Sequence, residues 1–150
     1  MWTCPHCQQQ FYNRNQSHSC GQYSVDGFLE NKSERSIELF WYFLAEYKRI
    51  GVFELHPVKT RVALLAQMRF ASVNRLGKDF LDGHLVLTDS NPDKFVFYKI
   101  DNLNNRFFVH HFRIYREEEI GATFRHYMRL AYEVGHRKHV IPGKKANKVK

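Results

Sequence analysis

Residues 59–70 read KTRVALLAQMRF, and the alternation inside this stretch sets the fold. Side chains of an extended chain point to opposite faces in turn. Val62, Leu64, Ala66, Met68 and Phe70 therefore share one face, while Lys59, Arg61, Gln67 and Arg69 share the other. An apolar side backed by a cationic side is the pattern of a strand covered on one face only.

Working outward, Phe80–Thr88, Phe95–Ile100 and Arg106–Ile114 have similar β-like composition. The breaks between runs, NRLGKD, DSNPDK and DNLNN, carry turn chemistry. Such short connections predict antiparallel neighbours in a meander. Upstream, Ser33 is placed to cap a helix with Glu34 in its first turn. Ile37, Phe40, Trp41, Leu44 and Tyr47 follow at helical spacing, and Lys48 and Arg49 suit a terminus near Gly51. A second helix is expected from Glu117 to Val134, with Ile120, Phe124, Tyr127, Met128, Ala131 and Val134 on its apolar face and Gly135 as its stop. The triplet Glu117–Glu119 reads as charge complementing that helix's dipole rather than as paired catalytic carboxylates.

No repeat and no alternating βα unit is present. The expected class is α+β: a two-layer sandwich of an antiparallel sheet of about four strands with helices on one face, spanning residues 33–137. Residues 21–32 read as a linker, residues 1–21 as a small appendage and residues 138–150 as a basic tail. Hydrophobic residues make up 43% of the 150, and thirteen Phe with eight Tyr supply enough bulk for a core without disulfides.

All three cysteines lie near the start, within CPHCQQQFYNRNQSHSC, Cys4 to Cys20. An odd number cannot close a disulfide framework internally, and the Cys4–Cys7 spacing lets two thiolates of one tight turn meet a tetrahedral metal. His18 and Cys20 complete a set of three sulfurs and one imidazole, closed and structural, with no vacant position for catalysis. His6 is the competing imidazole, awkwardly placed inside the Cys4–Cys7 turn. Ligands at i and i+2 cannot share one helix face, so this zinc knuckle carries no recognition helix. A segment so short depends on the metal to fold, and chelation is expected to unfold it while leaving the body intact.

MWTCPHC, NQSHSC, KTRVAL, VHHFRI and AYEVG, in that order, give the chain a likeness along nearly its full length. It resembles an uncharacterised bacterial family, a domain of unknown function. The resemblance implies a bacterial cytoplasmic protein with a zinc-knuckle head and a small α+β body, and it implies no reaction. Gln8 stands where glycine is usual after such a CPxC turn.

Lys and Arg number 23 against 15 Asp and Glu, a net charge of +8 that favours an anionic partner, although many soluble proteins are this basic without one. No run reaches the roughly 18 apolar residues of a membrane span. No signal peptide is visible, and a cytoplasmic protein is expected. Alternation in the last strand puts Val109, His111 and Arg113 on one side and Phe108, His110, Phe112 and Ile114 on the other. The expected open face thus bears Lys59, Arg61, Arg69, His111 and Arg113, with Tyr98 and neighbouring aromatics available to stack on bases. That is a candidate surface for nucleic acid or another phosphate-bearing ligand. The plain alternative is a solvated face whose charges pair with nearby Asp and Glu. His110 and His111 point to opposite faces and cannot act together, so one is expected in the packed layer. Phosphate loops, HExxH helices and G-x-S-x-G elbows are absent from the sequence.

Three functions follow as expectations. The first is a zinc-containing protein that contacts nucleic acid through a basic sheet face. The second is a small enzyme or small-molecule binder that uses His111 and Arg113 in a pocket. The third is a protein-interaction module built on the knuckle and the Trp41 helix face.

Overall fold

The computed structural model describes residues 2–3, 10–11 and 23–137. Two short strands, β1 (Trp2–Thr3) and β2 (Gln10–Phe11), pair antiparallel. Helices α1 (Val25–Leu29) and α2 (Glu34–Ile50) lead into a six-stranded antiparallel sheet. Its strands are β3 (Glu54–Pro57), β4 (Val62–Leu65), β5 (Arg69–Gly77), β6 (Phe80–Leu87), β7 (Lys99–Leu103) and β8 (Phe107–Ile114). A 3-10 turn (Glu117–Glu119) precedes α3 (Ala122–Gly135). The class is α+β.

Ser33 caps α2 as the sequence predicts, its Oγ accepting the Ser36 N–H at 3.2 Å. The same oxygen accepts the Asp79 N–H at 3.0 Å, which fixes the helix start against the β5–β6 turn. The buried face of α2 is Leu39, Phe40, Phe43, Leu44 and Tyr47. Trp41 lies off this stripe and is 47% exposed, because Leu39 and Phe43 rotate the core-facing side away from it. Tyr47 is wholly buried and its hydroxyl donates to the Met128 carbonyl at 2.8 Å, joining α2 to α3. Phe112 stands between the helices, 5.5 Å from Phe43 and 4.9 Å from Phe124 by ring centroids.

The sheet has six strands rather than about four. One extra strand, β3, comes from a short run that the sequence pattern did not mark. The other arises because residues 60–70 do not form one strand: they break at Ala66–Met68 into β4 and β5. The Gln67 and Met68 N–H groups both donate to the Gly135 carbonyl, at 2.8 and 3.0 Å. The carbonyl at the end of α3 has no partner within the helix, and the break supplies it with donors. A Cβ on Gly135 would meet the Phe70 ring at 2.4 Å, so this approach requires glycine.

The strand order β3-β4-β5-β6-β8-β7 also departs from a simple meander. After β6 the chain passes to the outer edge as β7, and β8 returns between them. The expected strand Phe95–Ile100 is displaced to Lys99–Leu103. Its turn forms later, at Asn104 and Asn105, both in the left-handed region with φ of 57° and 59°. Asn tolerates that conformation better than most residues, which is why two of them sit there. The final helix begins at Ala122, not Glu117, and the linker contains α1, capped by Ser24.

Candidate functional site

Helices α2 and α3 cover the side of the sheet bearing Val62, Leu64, Ala71, Val73, Leu81, Leu85, Phe112 and Ile114. The opposite, open face is ordered by its cross-strand register. His56 pairs with Ala63, Ala63 with Ser72, Ser72 with His84, His84 with His111, and His111 with Lys99. One row of six residues, three of them histidines, therefore crosses the whole sheet. In the next row Arg75 pairs with Asp82 and Asp82 with Arg113.

The predicted basic residues distribute as follows. Arg61, Arg69, His111 and Arg113 all reach the open face, whereas Lys59 lies in the turn between β3 and β4 and is exposed. Arg113 is not a free cation. Its Nε and Nη2 donate to Asp82 Oδ1 and Oδ2 at 2.7 and 2.8 Å, a two-pronged pair that fixes the guanidinium plane. His111 Nε2 donates to Asp101 Oδ2 at 2.8 Å. That hydrogen bond, with Lys99 nearby, holds the Asp101 carboxyl below its usual range. Arg69 is half-buried and donates from Nη2 to His56 Nδ1 at 2.7 Å. Burial, reinforced by the charge of Arg61, lowers its pKa.

Sequence reasoning missed His84. Asn74 Nδ2 donates to its Nδ1 at 3.0 Å, and its ring centroid is 5.8 Å from that of His111. Burial, then the neighbouring His111 and Arg61, pushes its pKa down to about 4, so the ring is neutral at pH 7. The signal was available in FLDGHLVL, where Asp82, His84 and Val86 alternate with Leu81, Gly83, Leu85 and Leu87. Asp101 was hidden inside the segment read as a turn. His110 belongs to the packed layer, as expected of one member of the pair. It accepts the Asn91 N–H at Nε2, donates from Nδ1 to the Phe108 carbonyl, and packs edge-to-face against Phe97 with ring centroids 4.7 Å apart.

Aromatic rings interleave with the cations. The Arg113 guanidinium lies 4.4 Å from the Phe80 centroid and 5.7 Å from Tyr98, and Arg75 lies 5.3 Å from Phe80. The Tyr115 ring packs tilted against Phe80, with centroids 5.7 Å apart. Tyr98, Tyr115 and Phe95 are 58%, 50% and 102% exposed. A groove of about 310 Å³ lined by Lys94, Phe95, Tyr98 and Arg113 runs along this edge.

The triplet Glu117–Glu119 forms a 3-10 turn ahead of α3 rather than the first turn of a long helix. Glu117 binds Arg35 at 2.6 Å, and Glu119 accepts the N–H groups of Tyr115 and Arg116, both at 3.1 Å. The candidate zinc ligands Cys4, Cys7, His18 and Cys20 lie outside the described residues. Among the described residues no group of three His, Cys, Asp or Glu side chains is arranged to hold a metal. No described helix is long and apolar enough to cross a membrane. Compared with known proteins, the chain matches no family model, no curated relative and no solved structure.

Proposed function

We propose that this protein binds single-stranded nucleic acid on the open sheet face and carries a structural zinc in its N-terminal knuckle. The observation that carries the reading is the tier Arg75, Phe80, Arg113, Tyr98, in which cations and rings alternate at 4.4 to 5.7 Å. Bases stack on aromatic faces without sequence preference, and each stack contributes about 1–3 kcal/mol. Asp82 holds Arg113 in one plane and so preorganises the tier, while the exposed ring faces of Tyr98, Phe95 and Tyr115 stay available. Arg61 and Lys99 add further positive charge on the same face for the phosphate backbone, Lys99 paired in register with His111 and Arg61 close to His84.

The zinc reading rests on the spacing of Cys4, Cys7, His18 and Cys20 in the sequence. A role for His111 and Arg113 as acid/base and anion clamp is less well supported, because each is committed to its own carboxylate.

Anisotropy of a labelled single-stranded oligonucleotide tests the binding reading. Affinity is expected to fall steeply between roughly 50 and 200 mM salt. Absence of binding at the lower salt sinks the proposal.

A further inference from the structure

Where β3, β4 and β5 meet, the open face holds positive charge that no described residue matches with a carboxylate. Arg69 is half-buried, and the group that accepts its Nη2–H is the imidazole of His56, not a carboxylate. Arg61 precedes Val62 on the open-face side, next to Ala63, and Asn74 follows the paired Val73. Neither guanidinium has an ion pair among the described residues. The nearest carboxylate by register, Glu54, is two strands from Arg69 through Leu65 and forms no ion pair with it.

Two further features mark this corner. Its floor is made of small side chains, Ala63 and Ser72, flanked by His56 and His84 in the same row. Asn74 Oδ1 is buried without a hydrogen-bond partner, leaving one end of that amide uncommitted beside the cluster. Arg61 is close enough for its charge to depress both Arg69 and His84, so the two guanidinium groups repel each other while the His84 ring stays neutral. A half-buried guanidinium such as that of Arg69 is ordinarily offset by an anion, and none of the described residues provides one.

We propose that Arg61, Arg69 and His84, above the floor of Ala63 and Ser72, form a subsite for a phosphate dianion. Two guanidinium groups match the charge of a phosphate monoester, whereas a diester linkage carries a single negative charge and leaves one cation unmatched. His84 accepts from Asn74 at Nδ1, so its neutral ring presents Nε2–H as a donor. Free phosphate, a small phosphomonoester and the terminal phosphate of a strand share this chemistry. The subsite does not depend on the strand-binding reading.

Inorganic phosphate titrated into the full chain, read by calorimetry and by NMR of the His84 ring and the Ser72 amide, tests it. Saturable binding is expected, stronger as pH rises through the second ionisation of phosphate, which completes the dianion. Arg69→Gln is expected to weaken it on the order of tenfold or more, and Arg61→Gln to weaken it without altering the melting temperature, since that side chain is exposed. Displacement of the phosphate by 5′-phosphorylated but not hydroxyl-ended oligonucleotide assigns the dianion to a strand end. Equal displacement by a nucleoside monophosphate assigns it to a small ligand. Shifts that never saturate, or binding that survives both substitutions, overturn the subsite. Hydroxyl-ended oligonucleotides without added phosphate test strand binding separately.

Discussion

Arg113 on β8 donates two parallel hydrogen bonds, of 2.7 and 2.8 Å, to Asp82, its register partner on β6. Asp82 is 7% exposed and Arg113 lies over Phe80, so the pair is structural as well as cationic. Asp82→Ala is expected to cost about 1.5–3 kcal/mol in urea unfolding, because hydrogen bonds to charged groups are lost and a guanidinium is left unpaired. Combined with Arg113→Met, the double variant should be less destabilised than the sum of the two single changes. Simple additivity would argue against the coupling.

Tyr98→Ala tests stacking directly. The ring is 58% exposed, so stability should barely change, while affinity for a short oligonucleotide drops by the equivalent of about 1–3 kcal/mol. Arg75→Gln should reduce both affinity and the steepness of the salt dependence.

Stability should decline in acid through His84. Its folded pKa is depressed to about 4 from 6.5, so the unfolded chain takes up the proton first as pH falls. Above 6.5 the contribution is fully present, and it is lost progressively down to about 4. The size is about 3 kcal/mol. His84→Gln should flatten the unfolding free energy across that window, and an unchanged slope would remove His84 as the cause. His110, also depressed by burial, adds a change of the same sign.

Gly83→Ala should destabilise the sheet centre. A Cβ there would lie 2.5 Å from the Ser72 carbonyl oxygen and 2.6 Å from the Phe112 ring, and the backbone oxygen cannot move aside as a flexible side-chain tip would. A loss of about 1–3 kcal/mol is expected, read from the denaturation midpoint.

Metal analysis of the purified chain should find a single zinc, and Cys7→Ser or Cys20→Ser should abolish it. Chelation should leave the thermal transition of the α+β body in place.

The elements that local chemistry specifies were legible in the sequence. Ser33 announces α2, and the apolar stripe Phe124, Met128, Ala131 and Val134 announces α3. The open-face positions of Arg61, Arg69, His111 and Arg113 followed from alternation alone. What escaped the sequence is tertiary. The break at Ala66–Met68 contains no Gly, Pro, Asn or Asp, and only the distant Gly135 carbonyl explains it. The swapped order of β7 and β8 is equally non-local, and with it went Asp101 as the partner of His111. Asp82, by contrast, was visible in the alternation of FLDGHLVL, but its pairing with Arg113 needed the register of two strands.

The bonds from Gln67 and Met68 to Gly135 bear on how the chain reaches this state. They span nearly half the sequence, so the β4–β5 corner cannot settle by local folding alone and must wait for the last helix to dock. Severing the chain before Ala122 would strand two amide donors at the corner, so the sheet and its C-terminal helix should melt as one cooperative unit.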